Sequence, residues 1–324
     1  MKFASLLLCT LLTTAAAVAQ GTPASPTAQT APTAPASADP FPPANPKFFD
    51  AASPTTADVN AFLNVIWGYD SNRTWRVEAI QKTAAPNVSK VTVFVADKSQ
   101  GNKVENLRFF TTPDGKHAIA DAVFSFGPHP YDDLRATLQS RADGPSRGAA
   151  NKTLELVEFA DLQCPHCKEA VPIIQDLLRD FPGAHFVFQN FPLIEIHPFA
   201  AQGAAYGNCV QQAKGDPAFY TYIDQVFAHQ ESLTPELAQK TFDNAVTAAG
   251  ADPAAVKACA ATPAARAKVA AQIKLAEDVD IEQTPTLVIN GHALAIGAIP
   301  YEQLKQIVTW DARQTGASAA LAAK

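Results

Sequence analysis

The chain has 324 residues, with 25 Lys+Arg against 31 Asp+Glu and a formal net charge of −6. Hydrophobic residues make up 47% and charged residues 17%, ordinary globular usage that excludes disorder throughout; the length suggests about two domains. The acidic balance and the lack of a long basic run argue against a nucleic-acid-binding surface, and past the extreme N-terminus no apolar run nears the ~20 residues of a membrane-spanning helix.

Lys2 precedes a segment, Phe3 to Ala19, that is apolar or small throughout with Leu6-Leu7-Leu8 at its centre. Ala17-Val18-Ala19 fits the small-residue cleavage rule, so residues 1–19 are expected to be an export signal cut before Gln20. Cys9 falls inside it and would be discarded; its position after Leu8 makes it a poor lipid-anchor site. The mature chain is then expected in the periplasm, an oxidising compartment where disulfides persist. Residues 20–46 are rich in Ala, Pro, Thr and Ser with one charge, Asp39, and read as a flexible tether.

Residues 47–140 read as a small α+β domain. Thr56 or Asp58 can open a helix carrying Val59, Phe62, Leu63, Ile66 and Trp67. Strands are expected at 73–82, 89–96, 105–112 and 117–126, the second on the β-branched run Val91-Thr92-Val93-Phe94-Val95. Pro113-Asp114-Gly115 is a turn, since Pro presets φ and Gly accepts a positive one. A linking helix over 131–140 and a break in pattern over 141–151 mark the boundary to a second domain, 151–313, with residues 314–324 as a flexible tail.

The second domain opens with a strand over 153–160, a helix starting at Cys164 and a strand over 185–189. A helical stretch follows over about 197–280. His197-Pro198, Asp216-Pro217, Thr234-Pro235, Asp252-Pro253 and Thr262-Pro263 each set a Pro where it suits a first helical turn, four of them behind a good N-cap. A strand at 286–290, an Asn290-Gly291 hairpin turn, a partner strand at 293–296 and a closing helix over 300–313 complete it.

Cys164-Pro165-His166-Cys167 puts two thiols on the first turn of a helix that follows a buried strand. A disulfide there closes a tiny ring and contributes little to stability, so its use is exchange. Cys164 at the helix N-terminus is favoured as thiolate by free N–H groups and the macrodipole, with His166 adding positive charge or a hydrogen bond; a stabilised thiolate makes the disulfide oxidising. Cys164 is expected to be accessible and Cys167 partly shielded. A zinc site needs about four ligands and there is no second Cys-x-x-Cys, so no metal or other cofactor is expected. Glu155 and Glu158 face opposite sides of the first strand; Glu158, between Val157 and Phe159, is expected to be the buried one, with a raised pKa suited to shuttling the Cys167 proton. Thr284-Pro285 opens a buried strand, where Pro fits a special turn against the cysteine pair.

Strand–helix–strand, inserted helices, then hairpin and helix is a thioredoxin-type plan: an α/β thioredoxin fold with a large helical insertion behind a small α+β domain. The segments Val157-Glu158-Phe159-Ala160-Asp161-Leu162-Gln163-Cys164-Pro165-His166-Cys167, Thr284-Pro285-Thr286 with Val288-Ile289-Asn290-Gly291, and Gly297-Ala298-Ile299-Pro300-Tyr301 resemble the DsbA-like thiol:disulfide oxidoreductases of the thioredoxin superfamily. The resemblance implies Cys164 as nucleophile, Cys167 as resolving thiol, a redox-active Cys164–Cys167 disulfide, Glu158 as buried acid and a cis Pro285. It also implies exported proteins with thiols or disulfides as substrates and a membrane redox partner. Thr284 departs from the archetypal oxidase, which has Val, and matches the DsbC-type isomerases, whose N-terminal dimerisation domain 47–140 faintly resembles. Oxidase and dimeric isomerase or reductase therefore both stand, and so does a different class, a peptide-binding chaperone. Cys209 and Cys259 are left over in the helical stretch and are expected to pair, as unpaired cysteines in an exported chain tend to.

Overall fold

The computed structural model describes residues 39–321; the expected export signal (1–19), the expected tether up to residue 38 and the last three residues lie outside them. Residues 40–321 form one compact unit built on two five-stranded sheets. Among the described residues no helix is long and apolar enough to cross a membrane.

The first sheet is an antiparallel meander, β1 (Arg73–Lys82), β2 (Ser89–Asp97), β3 (Val104–Thr111), β4 (His117–Ile119) and β5 (Val123–Ser125), in sequence order. The expected strand over 117–126 is two short ones, because the chain reverses between Ile119 and Val123. Helix α1 (Thr56–Trp67) lays Val59, Phe62 and Leu63 on this sheet against Val77, Ile80, Val91, Val93 and Phe109. Its cap is Thr55, one residue before Thr56 and three before Asp58, the two expected openers. The Thr55 hydroxyl accepts from the Asp58 amide at 3.2 Å and the Asp58 carboxylate accepts from the Thr55 amide at 2.9 Å, a reciprocal arrangement that satisfies two otherwise orphaned donors. The end of the expected tether is tied in as well, with the Phe41 ring 5.4 Å from the Arg76 guanidinium.

The second sheet runs β10-β9-β7-β8-β6. Strand β7 (Leu154–Ala160) is central, parallel to β8 (Ala184–Asn190) and antiparallel to β9 (Thr286–Ile289), which pairs with β10 (His292–Ala295). Strand β6 (Ser146–Gly148) pairs antiparallel with β8 inside the stretch expected as a patternless break. Its flanking glycines make that pairing possible: a Cβ on Gly144 would meet the Phe188 carbonyl, and one on Gly148, at φ 89°, the Ala184 carbonyl. Asn290 and Gly291, at φ 46° and 94°, make the tight β9–β10 turn.

Both faces of this sheet are covered. On one, Leu154, Leu156, Phe186, Phe188 and Leu287 pack with α3 (Pro165–Asp180), α5 (Asp216–Ala228) and α9 (Tyr301–Gln314). On the other, Val157, Phe159, Val187 and Val288 pack with Leu138 of α2 (Asp132–Arg141) and Leu275 of α8 (Pro263–Asp278). Every residue of β7 is therefore buried, Glu155 at 2% exposure included. The expectation that only Glu158 would be buried is corrected on this point: the second face has a core of its own, and Lys152 Nζ sits 3.3 Å from Glu155.

The helical stretch consists of α4 (Ala200–Lys214), α5, α6 (Ala238–Ala248), α7 (Pro253–Ala260) and α8. Asp252 and Thr262 cap α7 and α8 as expected. Asp216 and Thr234 do not: Gly215 at φ 82° begins α5 a residue early, leaving Asp216 to accept from the Ser146 amide and from Gln211, while α6 starts only after Leu237. Cys209 of α4 and Cys259 of α7 are joined by a disulfide, with Cα atoms 6.1 Å apart. The stretch expected as a flexible tail folds back instead, with Ala317 fully buried and its amide bonded to the Ala312 carbonyl at 2.6 Å.

The two sheets are bolted through α9 and the hairpin. Trp310 Nε1 donates to the Val65 carbonyl at 2.9 Å, and its ring packs over Gly68, where a Cβ would collide with it. Tyr131 stacks on His292 with centroids 4.4 Å apart, and His292 Nδ1 lies 2.8 Å from Asp311 Oδ2.

Candidate active site

Three segments converge on the start of α3. The first is the turn leaving β7. Asp161 is fully buried there, and its carboxylate accepts from the Gln163 amide (2.7 Å) and the Leu193 amide (2.8 Å) and bonds His197 Nδ1 (2.7 Å). Gln163 Oε1 in turn accepts from the Phe199 amide at 2.7 Å. The loop after β8 is thereby strapped to the turn that presents Cys164. The second segment is α3 itself, whose N-cap is Cys164 and whose first residue is Pro165, a position where the missing N–H costs nothing. The third is Thr284-Pro285, whose peptide bond is cis and whose Thr284 carbonyl accepts from the Cys164 thiol at 3.6 Å.

Cys164 and Cys167 are both free thiols here. Cys164 is only 5% exposed, less open than the sequence suggested, because the Thr284 turn and the loop after α5 close over it; Cys167 is 1% exposed. The Cys164 pKa is lowered to about 5. The largest cause is the Cys167 thiol donating to it; burial opposes this, and Thr284 and the amide N–H groups of Cys167 and His166 add to the lowering. The Thr284 hydroxyl is buried with no other partner, so a donor is held in reserve for the charged sulfur. Cys167 is pushed far up, first by burial and then by its donation to Cys164, while the Asp161 amide donates to its sulfur at 3.4 Å.

His166 does less than expected for the thiolate. Its ring is exposed and its Nδ1 bonds Glu169 Oε2 at 3.0 Å, which raises the imidazole pKa, with a smaller contribution from the charge of Cys164. What it gives Cys164 directly is its backbone N–H.

Glu158 lies on the face of β7 that packs against α5, by parity with Leu156 and Ala160. Burial raises its carboxyl pKa to about 7, and the positive charge of Arg147 works against that rise. Arg147, on β6 opposite Phe186, holds its guanidinium 4.4 Å from the Tyr220 ring centroid and 5.2 Å from that of Phe186. A carboxyl that titrates near neutrality close enough to act on the buried Cys167 thiol is suited to proton transfer. The sequence reading singled out neither Asp161 nor Arg147. The usable signal for Asp161 was an acidic residue at the end of an apolar strand, three residues before Cys164.

A family model described as Thioredoxin matches residues 140–309. The chain belongs to the thioredoxin family. The thioredoxin-family region coincides with the second sheet and its helices, and the first sheet lies outside the match. Among curated proteins, the chain is 34% identical over 89 residues to the Na(+)/H(+) antiporter NhaA 3 of Salinispora tropica, covering 28% of this chain and 13% of that protein. The chain thus spans about an eighth of the length of that relative. Among solved structures, the catalytic domain of Proteus mirabilis ScsC is 22% identical with a TM-score of 0.46, covering 55% of this chain and 98% of that one. The thiol-disulfide exchange protein alpha-DsbA2 of Wolbachia pipientis is 18% identical with a TM-score of 0.46, covering 54% and 94%.

Proposed function

We propose that the protein is a periplasmic thiol:disulfide oxidoreductase that introduces disulfides into exported proteins through Cys164 and Cys167. The observation that carries this reading is the asymmetry of the pair: Cys164 ionises at about 5, whereas Cys167 is held protonated by burial. A stabilised Cys164 thiolate favours the reduced form and makes the disulfide an oxidant.

In the forward reaction a substrate thiolate attacks the Cys164 sulfur of the Cys164–Cys167 disulfide. That bond breaks as the substrate–Cys164 disulfide forms, and the Cys167 sulfur leaves with the electron pair and takes a proton from Glu158. A second substrate thiolate attacks the substrate sulfur and releases Cys164 as thiolate. Two electrons pass from two substrate thiols to the cysteine pair. Return to the disulfide takes an oxidising partner, a membrane redox protein in this reading. The test is turnover of a reduced two-cysteine model protein in glutathione buffer. Wild type should accelerate disulfide formation, and Cys164→Ser should abolish the acceleration; equal rates with and without the wild-type protein would refute the oxidase.

A second reading, a dimeric isomerase or reductase, is favoured by the first sheet. Phe110 is 41% exposed and pairs across the ladder with Ile119, 40% exposed, which pairs with Val123, 65% exposed. These three apolar side chains line one face at the sheet edge, a surface suited to self-association. A chaperone without redox chemistry would keep its anti-aggregation activity when Cys164 and Cys167 are both replaced by Ser, whereas an oxidoreductase would lose turnover.

A further inference from the structure

One side chain of the helical stretch reaches the backbone carbonyls of the redox turn. Gln230 begins the short 3-10 turn Gln230–Ser232 after α5, and its Nε2 donates to the Leu162 carbonyl at 3.0 Å and to the Cys164 carbonyl at 2.9 Å. A single amide group thus places its two hydrogens on carbonyls of the turn that delivers the reactive sulfur. The neighbouring Glu231 accepts from Lys168 Nζ, on the first turn of α3, at 3.0 Å.

The location matters because Cys164 is the N-cap. Its carbonyl already accepts from the Cys167 amide at 3.2 Å and the Lys168 amide at 3.3 Å. A further donor fixes the orientation of the peptide plane that joins Cys164 to Pro165. That plane decides where the sulfur stands relative to the His166 and Cys167 N–H groups, the donors that receive its negative charge. Gln230 is only partly buried, so its hydrogen bonds are not the by-product of filling a core.

We propose that Gln230 is a positioning residue of the exchange reaction: by holding the Leu162 and Cys164 carbonyls it keeps the Cys164 sulfur on the amide groups of α3 and thereby sets the poise between dithiol and disulfide. The inference rests on the reading of Cys164–Cys167 as an exchanging pair.

The test uses the full mature chain at one fixed pH of about 6. Two quantities are read: the rate at which iodoacetamide alkylates Cys164, and the equilibrium of the cysteine pair with glutathione. Gln230→Leu keeps the bulk and removes the donor; Gln230→Glu sets a carboxylate against two carbonyls; Gln230→Lys returns an N–H donor. The Leu variant should slow alkylation roughly threefold or more and shift the glutathione equilibrium toward the disulfide by a similar factor, with a larger shift for Glu. The Lys variant should stay within about threefold of wild type. Thermal melting is recorded alongside: a purely structural contact would lower the melting temperature in all forms and leave rate and equilibrium where they were. Wild-type rates and equilibria in both the Leu and Glu variants overturn the role of Gln230 while leaving the exchange reaction intact. A wild-type protein that neither alkylates selectively at Cys164 nor equilibrates with glutathione overturns the exchange reading, and the role of Gln230 with it. Should the Leu variant not fold, the Glu and Lys pair gives the same contrast.

Discussion

The amide of Asp161 and the sulfur of Cys167 are hydrogen-bonded at 3.4 Å, and among the described residues this is the one donor that favours charge on the buried thiol. Cys164, three residues away, has four such donors in the Cys167 thiol, Thr284 and two amides. The first prediction follows from that contrast. Iodoacetamide at about pH 6 should label Cys164 and leave Cys167 unlabelled in the same time, read by peptide mass mapping. Labelling of Cys167 at a comparable rate would reverse the assignment of nucleophile and resolving thiol.

Glu158 binds its proton at about 7 in the folded protein, against an ordinary 4.5. The native state therefore holds more protons than the unfolded chain between these values, and stability falls as pH rises through the window. The benefit of the neutral carboxyl is complete below about 4.5 and lost above about 7, at most about 3 kcal/mol. Glu158→Gln, which cannot ionise, should gain stability relative to wild type between pH 5 and 8 in urea titrations. Parallel stability curves would remove Glu158 as a buried titrating group.

Cys164 has the opposite sign. Its folded pKa of about 5 lies below the ordinary thiol value of 9, so the dithiol form gains stability as pH rises above 5 and loses it as pH falls through that value. The disulfide form has no such group. The dithiol protein should therefore melt above the disulfide protein at pH 7, by a margin of about 1–2 kcal/mol after solvent screening, and the margin should shrink as pH falls through 5. A margin independent of pH would count against the thiolate.

The Cys209–Cys259 disulfide closes a separation of 50 residues between α4 and α7. Replacing both cysteines by Ala should cost about 2–4 kcal/mol of unfolding free energy under non-reducing conditions, in keeping with the loop entropy released. Exchange by Cys164 and Cys167 should persist at temperatures where the variant is folded. Loss of exchange without loss of folding would place this bond in the redox mechanism.

Light scattering of the mature protein should show self-association that weakens when Ile119 and Val123 become Ser. The three-residue ladder with Phe110 would then be broken at its exposed edge. A monomer at every concentration would set aside the dimeric isomerase and leave the oxidase reading alone.

Much of this arrangement was legible in the residues because it is local. Cys164 and Cys167 are three apart on one helical turn, and β2 announces itself through the β-branched run Val91-Thr92-Val93-Phe94-Val95. Distance in sequence hid the rest. Strand β6 has three residues and no periodicity; it exists because Gly144 and Gly148 allow a close approach to β8. Period-two alternation assigned Glu155 and Glu158 to opposite faces, but it could not reveal that α2 and α8 cover the second face as fully as α3 and α5 cover the first. Asp216 looked like a helix cap and is instead a bridge to Ser146, 70 positions away.

Strand β9 joins two places that have so far been described separately. Its first residue, Thr286, follows directly on the Pro285 turn beside Cys164, and the Asn290-Gly291 turn at its far end abuts the Tyr131 carbonyl and Arg135 of α2. Four residues, about 13 Å of extended chain, lie between them. The strand is hydrogen-bonded along its length by β7 on one side and β10 on the other, which holds its two ends at a fixed distance. The turn that meets the Cys164 thiol and the turn that meets α2 are thereby the two ends of a single hydrogen-bonded strand, and their separation is set by that strand alone.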